Sequence, residues 1–197
     1  MLRNDLPFLR NFSEFIKSMK KNISATHYII LINYTLFALG YIFPLNALFL
    51  NHSNSEFHQF LTSIFIHANF SHISGNMFFA FFFGKLIEEK IGMKKYFLLF
   101  ILTGIFTNVV EFFINSGSNI YSMGASGAIF GLFSVSLLLN KRKEFKDWIE
   151  ILVLGPFVIS YMFSELNALG VNDSVSHSAH LIGVIIGPFI YTFLKRK

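Results

Sequence analysis

The chain has 197 residues, of which 53% are hydrophobic and 27 are Phe, and its mean hydropathy is +0.55. Only 14% are charged, where a soluble domain carries about a quarter, so the composition belongs in a bilayer. The absence of Cys excludes a disulfide framework and a thiolate metal site, and the net charge of +5 points to nucleic acid or to a membrane surface until its distribution is read.

Residues 1–26 are the one long polar stretch. Phe8, Phe12, Phe15, Ile16, Met19 and Ile23 recur at steps of three and four between Arg10, Lys17, Lys20 and Lys21, the pattern of a short basic amphipathic segment lying on a membrane surface. A basic tail without helical structure is the alternative, because short isolated helices are marginal. From there the apolar runs predict six spans: His27 to Leu50, His72 to Ile87, Tyr96 to Ile114, Met123 to Leu139, Trp148 to Leu169 and His177 to Leu194. A bilayer core of ~30 Å needs about 20 helical residues, so the second and fourth are short for a crossing. The first run reads as an uncleaved anchor, being too long for a signal peptide and lacking a small-residue cleavage site. No repeat is evident, and residues 27–197 read as one domain.

The basic residues orient these spans. All 16 Lys and Arg residues fall before the first span, at the end of the second or between it and the third, between the fourth and fifth, or after the sixth. The other three connections contain none. Since Lys and Arg accumulate in cytoplasmic loops, both termini are expected in the cytoplasm, and the charge reflects membrane orientation, with no nucleic-acid partner.

That orientation places the polar groups. Ser126 and His180 each precede a cytoplasmic Lys, Lys141 and Lys195, by fifteen residues, which puts both ~22 Å above the inner interface. His72 and Asn76 enter from the same outer side on the second span. Gly127-xxx-Gly131 follows Ser126 and Gly183-xxx-Gly187 follows His180, small-residue faces that let helices pack closely. Such faces are often packing notches alone. Likewise a Ser can bond to its own helix, an Asn can bridge helices, and a His can be a satisfied core residue. Polar groups are nevertheless costly inside a membrane and tend to mark a functional cavity. One shared outer-facing cavity would supply a nucleophile in Ser126, a base in His180, and hydrogen-bond donors in His72 and Asn76.

These residues resemble the rhomboid intramembrane serine proteases. Gly124-Ala125-Ser126-Gly127 is similar to the family's Gly-x-Ser-Gly motif, Ala179-His180-xx-Gly183-xxx-Gly187 to its histidine helix, and His72-xxx-Asn76 to its oxyanion pair. Gly84-xxx-Glu88-xxx-Gly92 resembles the ending of its second helix. The resemblance covers residues 27–194 and corresponds to the basic six-span bacterial form, so it implies an all-α six-helix bundle in the plasma membrane. Two positions depart from the pattern. Phe130 stands where many bacterial members have a Tyr that stacks on the histidine, and His58-Gln59 stands where many have Trp-Arg in the first outer loop.

The resemblance further implies a Ser126–His180 dyad, with oxyanion donors from His72, Asn76 and the Ser126 backbone N–H. It implies single-pass membrane proteins with unstable helices as substrates, cut without metal or cofactor. Gly155-Pro156 in the fifth span offers a bend for a lateral gate, or a fixed kink. Glu111 and Glu165 are placed near outer helix ends and Asp173 in a loop, so no acidic third member is expected. Two other readings stand beside the protease: a rhomboid-like binder of membrane clients without proteolytic activity, which such relatives achieve with the dyad lost, and a small transporter using the outer histidines, for which no metal-binding motif speaks.

Overall fold

The computed structural model describes residues 24–139, 160 and 176–196. The amphipathic segment up to residue 23, the fifth span with Gly155-Pro156 apart from residue 160, Glu165 and Asp173 lie outside the described residues, and the expected boundary at residues 26 and 27 falls inside a helix that already begins at Ala25. Among the described residues are six α-helices: α1 Ala25–Leu39, α2 Gln59–Thr62, α3 Phe70–Ile91, α4 Met93–Ile114, α5 Ser126–Leu139 and α6 His177–Lys195. Short 3-10 turns occupy Asn46–Leu48 and Ser63–Phe65, and the two-residue strands β1 Leu50–Asn51 and β2 Tyr121–Ser122 pair antiparallel, Leu50 opposite Ser122 and Asn51 opposite Tyr121. This small ribbon was not expected from an apolar helical pattern. It ties the first long loop to the segment leading into Ser126.

The first expected span is corrected. Its helix runs from Ala25 and stops at Leu39 instead of continuing to Leu50, and the apolar residues Tyr41, Ile42 and Phe43 that follow are exposed outside it. Apolar composition carries no signal for where a helix stops, whereas Gly40 and Pro44 do. The second span is corrected in the other direction. α3 has 22 residues, enough for ~33 Å at 1.5 Å each, because its apolar face continues past the charges at Lys85, Glu88, Glu89 and Lys90 that limit the sequence pattern. α5 has only 14 residues and begins at Ser126, after Gly124 at φ +129°. α4 and α6 are the two described helices long and apolar enough to cross a membrane.

The core is gathered around α5. Ala128, Ile129, Leu132 and Val135 are buried against Ile64, Ile73, Met77, Ala80 and Phe100. Large apolar side chains also cover the outside, including Phe106 and Phe113 on α4 and Phe189 and Phe193 on α6. A stripe of this kind facing away from the core is what a hydrocarbon environment accommodates.

The far end of α3 shows how the resemblance Gly84-xxx-Glu88-xxx-Gly92 becomes structure. Glu88 is buried, and its carboxylate accepts from the N–H groups of Ala25 (2.7 Å) and Thr26 (3.1 Å) and from the Thr26 hydroxyl (2.7 Å). It thereby caps α1, whose first N–H groups have no partner within the helix. Gly84 leaves room for the Tyr96 ring and the Thr26 hydroxyl, and Gly92 turns the chain between α3 and α4 at φ +82°. Replacing Glu88 by Ala orphans three buried donors, so Glu88→Ala should destabilise the fold by about 3 kcal/mol. Thermal unfolding in detergent checks this: a clear fall in the midpoint is expected, and an unchanged midpoint would remove the capping role.

Candidate active site

The site forms where the N-terminal ends of α3, α5 and α6 converge. Asn69 caps α3 by accepting from the His72 N–H at 2.8 Å, which fixes the backbone that carries His72 and, one turn later, Asn76. Ser176 begins α6, its hydroxyl accepting from the Ala179 N–H and its carbonyl from the His180 N–H, both at 3.4 Å. α5 opens directly on Ser126, which is half-buried.

Contact between α5 and α6 is made by backbone. A Cβ on Gly183 would run into the Gly127 carbonyl oxygen and lie 2.9 Å from its carbon, and a Cβ on Gly187 would lie 2.5 Å from the Cα and oxygen of Gly131. On the other side of α5, the Thr107 methyl would meet a Cβ on Gly127 at 2.6 Å. Gly127, Gly131, Gly183 and Gly187 thus face one another in register, and α4 closes the flank. One turn beyond Ser126, the Phe130 ring lies on the imidazole of His180, with centroids 4.3 Å apart and planes at 16°. His180 is buried. Ser126 and Phe130 are four residues apart and so share one side of α5, the side on which Phe130 meets His180.

His72 and Asn76 approach from α3. A Cβ on Gly124 would lie 2.9 Å from His72 Nε2 and 3.7 Å from Asn76 Nδ2, so the glycine is required for space as well as for its positive φ. The structure therefore brings His72 and Asn76 to the segment just before Ser126.

His67 was not anticipated as part of this group. It lies in the loop before α3, buried, with its ring 4.9 Å from that of His72. Its Nε2 is 2.8 Å from Asn76 Nδ2 and accepts from the Ala125 N–H at 3.4 Å. Two donors on one nitrogen place the proton of the neutral ring on Nδ1. Burial, reinforced by the neighbouring His72, pushes its pKa down to about 3, so it stays an acceptor and orients the Asn76 amide. Helical spacing could not reveal it, because His67 precedes the helix. The one available signal was a third histidine close upstream of His72.

The first long loop is anchored by Gln59 and His58, where the family resemblance would place Trp-Arg. Gln59 accepts from the N–H groups of Asn51 and Glu56, both 3.2 Å, and donates to the Ala47 carbonyl at 3.3 Å, which also accepts from His58 Nε2 at 3.0 Å. The Ser63 carbonyl then accepts the Gly124 N–H at 2.9 Å, and the Ser63 hydroxyl accepts from Asn108 Nδ2 at 3.0 Å. His52 is buried, 2.7 Å from the Ser122 hydroxyl. Burial lowers its pKa, and the charge of Glu111 offsets part of that. The loop is thus gathered on itself and bonded at β1, His52 and Ser63 to the segment before Ser126.

Glu111 has the helix-end position expected of it, and a partner that its position did not reveal. Its side chain is only 2% exposed and accepts from Ser176 and Ser178 at the start of α6. Sequence position gave its helix end and not its partner, which lies 65 residues away.

Residues 54–197 match the family model described as the Rhomboid domain. This chain belongs to the rhomboid family. It is 34% identical over 190 residues to Rhomboid-like protein 11, chloroplastic, of Arabidopsis thaliana, covering 90% of this chain and 68% of that protein. It is 35% identical to Rhomboid-like protease 1 of Toxoplasma gondii, covering 66% of this chain and 44% of the relative, and 30% identical to Rhomboid-type serine protease 2 of Emericella nidulans, covering 67% and 26%. Rhomboid proteins are integral membrane proteins, in accord with the apolar lengths of α4 and α6.

The stacking of Phe130 on His180 gives a direct prediction. An offset aromatic pair contributes about 0.5–1.5 kcal/mol beyond its buried area. Phe130→Tyr should therefore keep the rate at which a fluorophosphonate labels Ser126, while Phe130→Ala should lower it about tenfold. Equal labelling of Phe130→Ala and the parent would remove the ring from the site.

Proposed function

We propose that this chain is an intramembrane serine endopeptidase that hydrolyses peptide bonds in or beside transmembrane helices of other membrane proteins. The observation that carries the reading is the Phe130–His180 stack one helical turn from Ser126, across a backbone contact between two helices. Ser126 Oγ attacks the scissile carbonyl as His180, neutral at rest, takes its proton. The carbonyl oxygen becomes an oxyanion held by the Ser126 N–H, Asn76 Nδ2 and His72. His180 then gives the proton to the leaving amine, and water taken through the same base cleaves the acyl-enzyme.

Three helix N-termini direct partial positive charge toward the oxyanion, which supports charge development in the transition state. The substrates in this reading are single-pass proteins with unstable helices, because a hydrogen-bonded helix hides its carbonyls until it unwinds. The bundle crosses a bacterial plasma membrane six times, with both termini in the cytoplasm and the cavity open to the outer face. The basic segment that precedes α1 lies on the cytoplasmic surface, the chain from α1 onward forms the protease domain, and no cofactor takes part.

Purified protein in liposomes should cleave a model single-pass substrate in the presence of EDTA. Ser126→Ala should abolish both cleavage and fluorophosphonate labelling, and His180→Ala should nearly do so. Asn76→Ala should lower kcat by about 10²-fold and leave a residual rate from the remaining donors. Cleavage by Ser126→Ala at the parental rate would overturn the reading. Binding of clients by a parent protein that cleaves nothing would favour the non-proteolytic alternative.

A further inference from the structure

We propose that Glu111 is a positioning residue for His180, its carboxylate fixing the first turn of α6 through the hydroxyls of Ser176 and Ser178. This rests on the serine-protease reading of the site.

A buried carboxylate is costly unless its oxygens are satisfied, and Glu111 is 2% exposed in the last turn of α4. Its place near a helix C-terminus is unfavourable for a negative charge. Packing alone would be served by an apolar residue. What the carboxylate supplies is two oxygens with separate duties: Oε1 accepts from the Ser178 hydroxyl, and Oε2 accepts from the Ser176 hydroxyl at 2.9 Å and from Asn115 Nδ2 at 3.2 Å.

Two attachment points on α6 constrain more than one. Ser176 is the N-cap and Ser178 lies in the first turn, so holding both to one carboxylate fixes the axial position of the helix and its rotation. His180 follows directly, because its own N–H donates to the Ser176 carbonyl. A slip of one residue along an α-helix moves a side chain ~1.5 Å and turns it ~100°, enough to carry the imidazole off Phe130. His180 is therefore held by Glu111 through the start of its helix, by the Phe130 ring beside it, and by the Gly183–Gly127 contact one turn further on.

Misplacing a base by about 1 Å costs roughly 10²-fold in rate. Glu111→Ala should therefore lower kcat for a model substrate, and the rate of fluorophosphonate labelling at Ser126, by about 10²-fold, with KM changed by less than about threefold. Glu111→Gln keeps the length and one oxygen acceptor and should recover part of the loss. Removing both hydroxyls, in Ser176→Ala with Ser178→Ala, should reproduce Glu111→Ala, and adding Glu111→Ala to that pair should cost little more. A purely structural role would lower the unfolding midpoint and leave kcat and labelling per folded molecule unchanged.

Parental kcat and labelling in a folded Glu111→Ala variant would overturn the inference. Should that variant not fold, the paired serine variant decides, and parental rates there overturn it equally. A parent that cleaves while these variants match it sinks this inference alone. A parent that neither cleaves nor labels sinks the protease reading, and this inference with it.

Discussion

The backbone contact between α5 and α6 sets the rest of the structure. Ordinary helix pairs stand 8–10 Å apart because side chains fill the space between them, whereas here Gly127 and Gly131 meet Gly183 and Gly187 with no room for a Cβ. This contact sets how close the helix headed by the half-buried Ser126 lies to the helix that carries the buried His180. Inside a membrane this contact has no hydrophobic driving force behind it, since lipid chains are as apolar as Leu. It is held by van der Waals packing and by what surrounds it. Thr103 and Thr107 press on α5 from α4, Phe130 covers His180, and Ile64 and Ala128 close around Gly104.

The connections at this end of the bundle serve the same geometry. α5 begins where it does because Gly124 turns at positive φ beneath His72, with its N–H on Ser63 and the next N–H on His67. The β1–β2 pairing and the His52–Ser122 contact tie the same segment to the first loop. Gln59 and His58 gather that loop by bonding its backbone, so the loss of Trp-Arg changes the chemistry of the anchor and not its place. At the opposite end of the bundle, Glu88 bonds α3 to the start of α1. The polar groups thus occur where backbone donors would otherwise be left unpaired in an apolar medium.

Much of this was legible in the sequence, for reasons that differ by element. Ser126, His180 and their glycines could be matched because each follows a helical period counted from a basic anchor, and periodicity is local. His72 and Asn76 were legible in the same way. The end of α1 was not, because Tyr41, Ile42 and Phe43 are as apolar as the helix before them. His67 and Glu111 escaped because their partners lie across the fold: a loop histidine meeting Asn76 and Ala125, and a carboxylate meeting serines 65 residues on. Such pairs obey no period. They become visible only when burial shows which polar groups must be satisfied.

The most direct measurement uses the glycine contact itself. Gly183→Ala adds a methyl that must push α6 away from the Gly127 carbonyl, while Gly75→Ala adds one on α3 where nothing lies within 4 Å. In folded protein, Gly183→Ala should slow fluorophosphonate labelling of Ser126 by about 10²-fold, the scale for displacing a catalytic group by about 1 Å, and Gly75→Ala should label at the parental rate. A folded Gly183→Ala variant that labels as fast as the parent would contradict the account, since the hydroxyl and imidazole would then not depend on the close approach of the two helices.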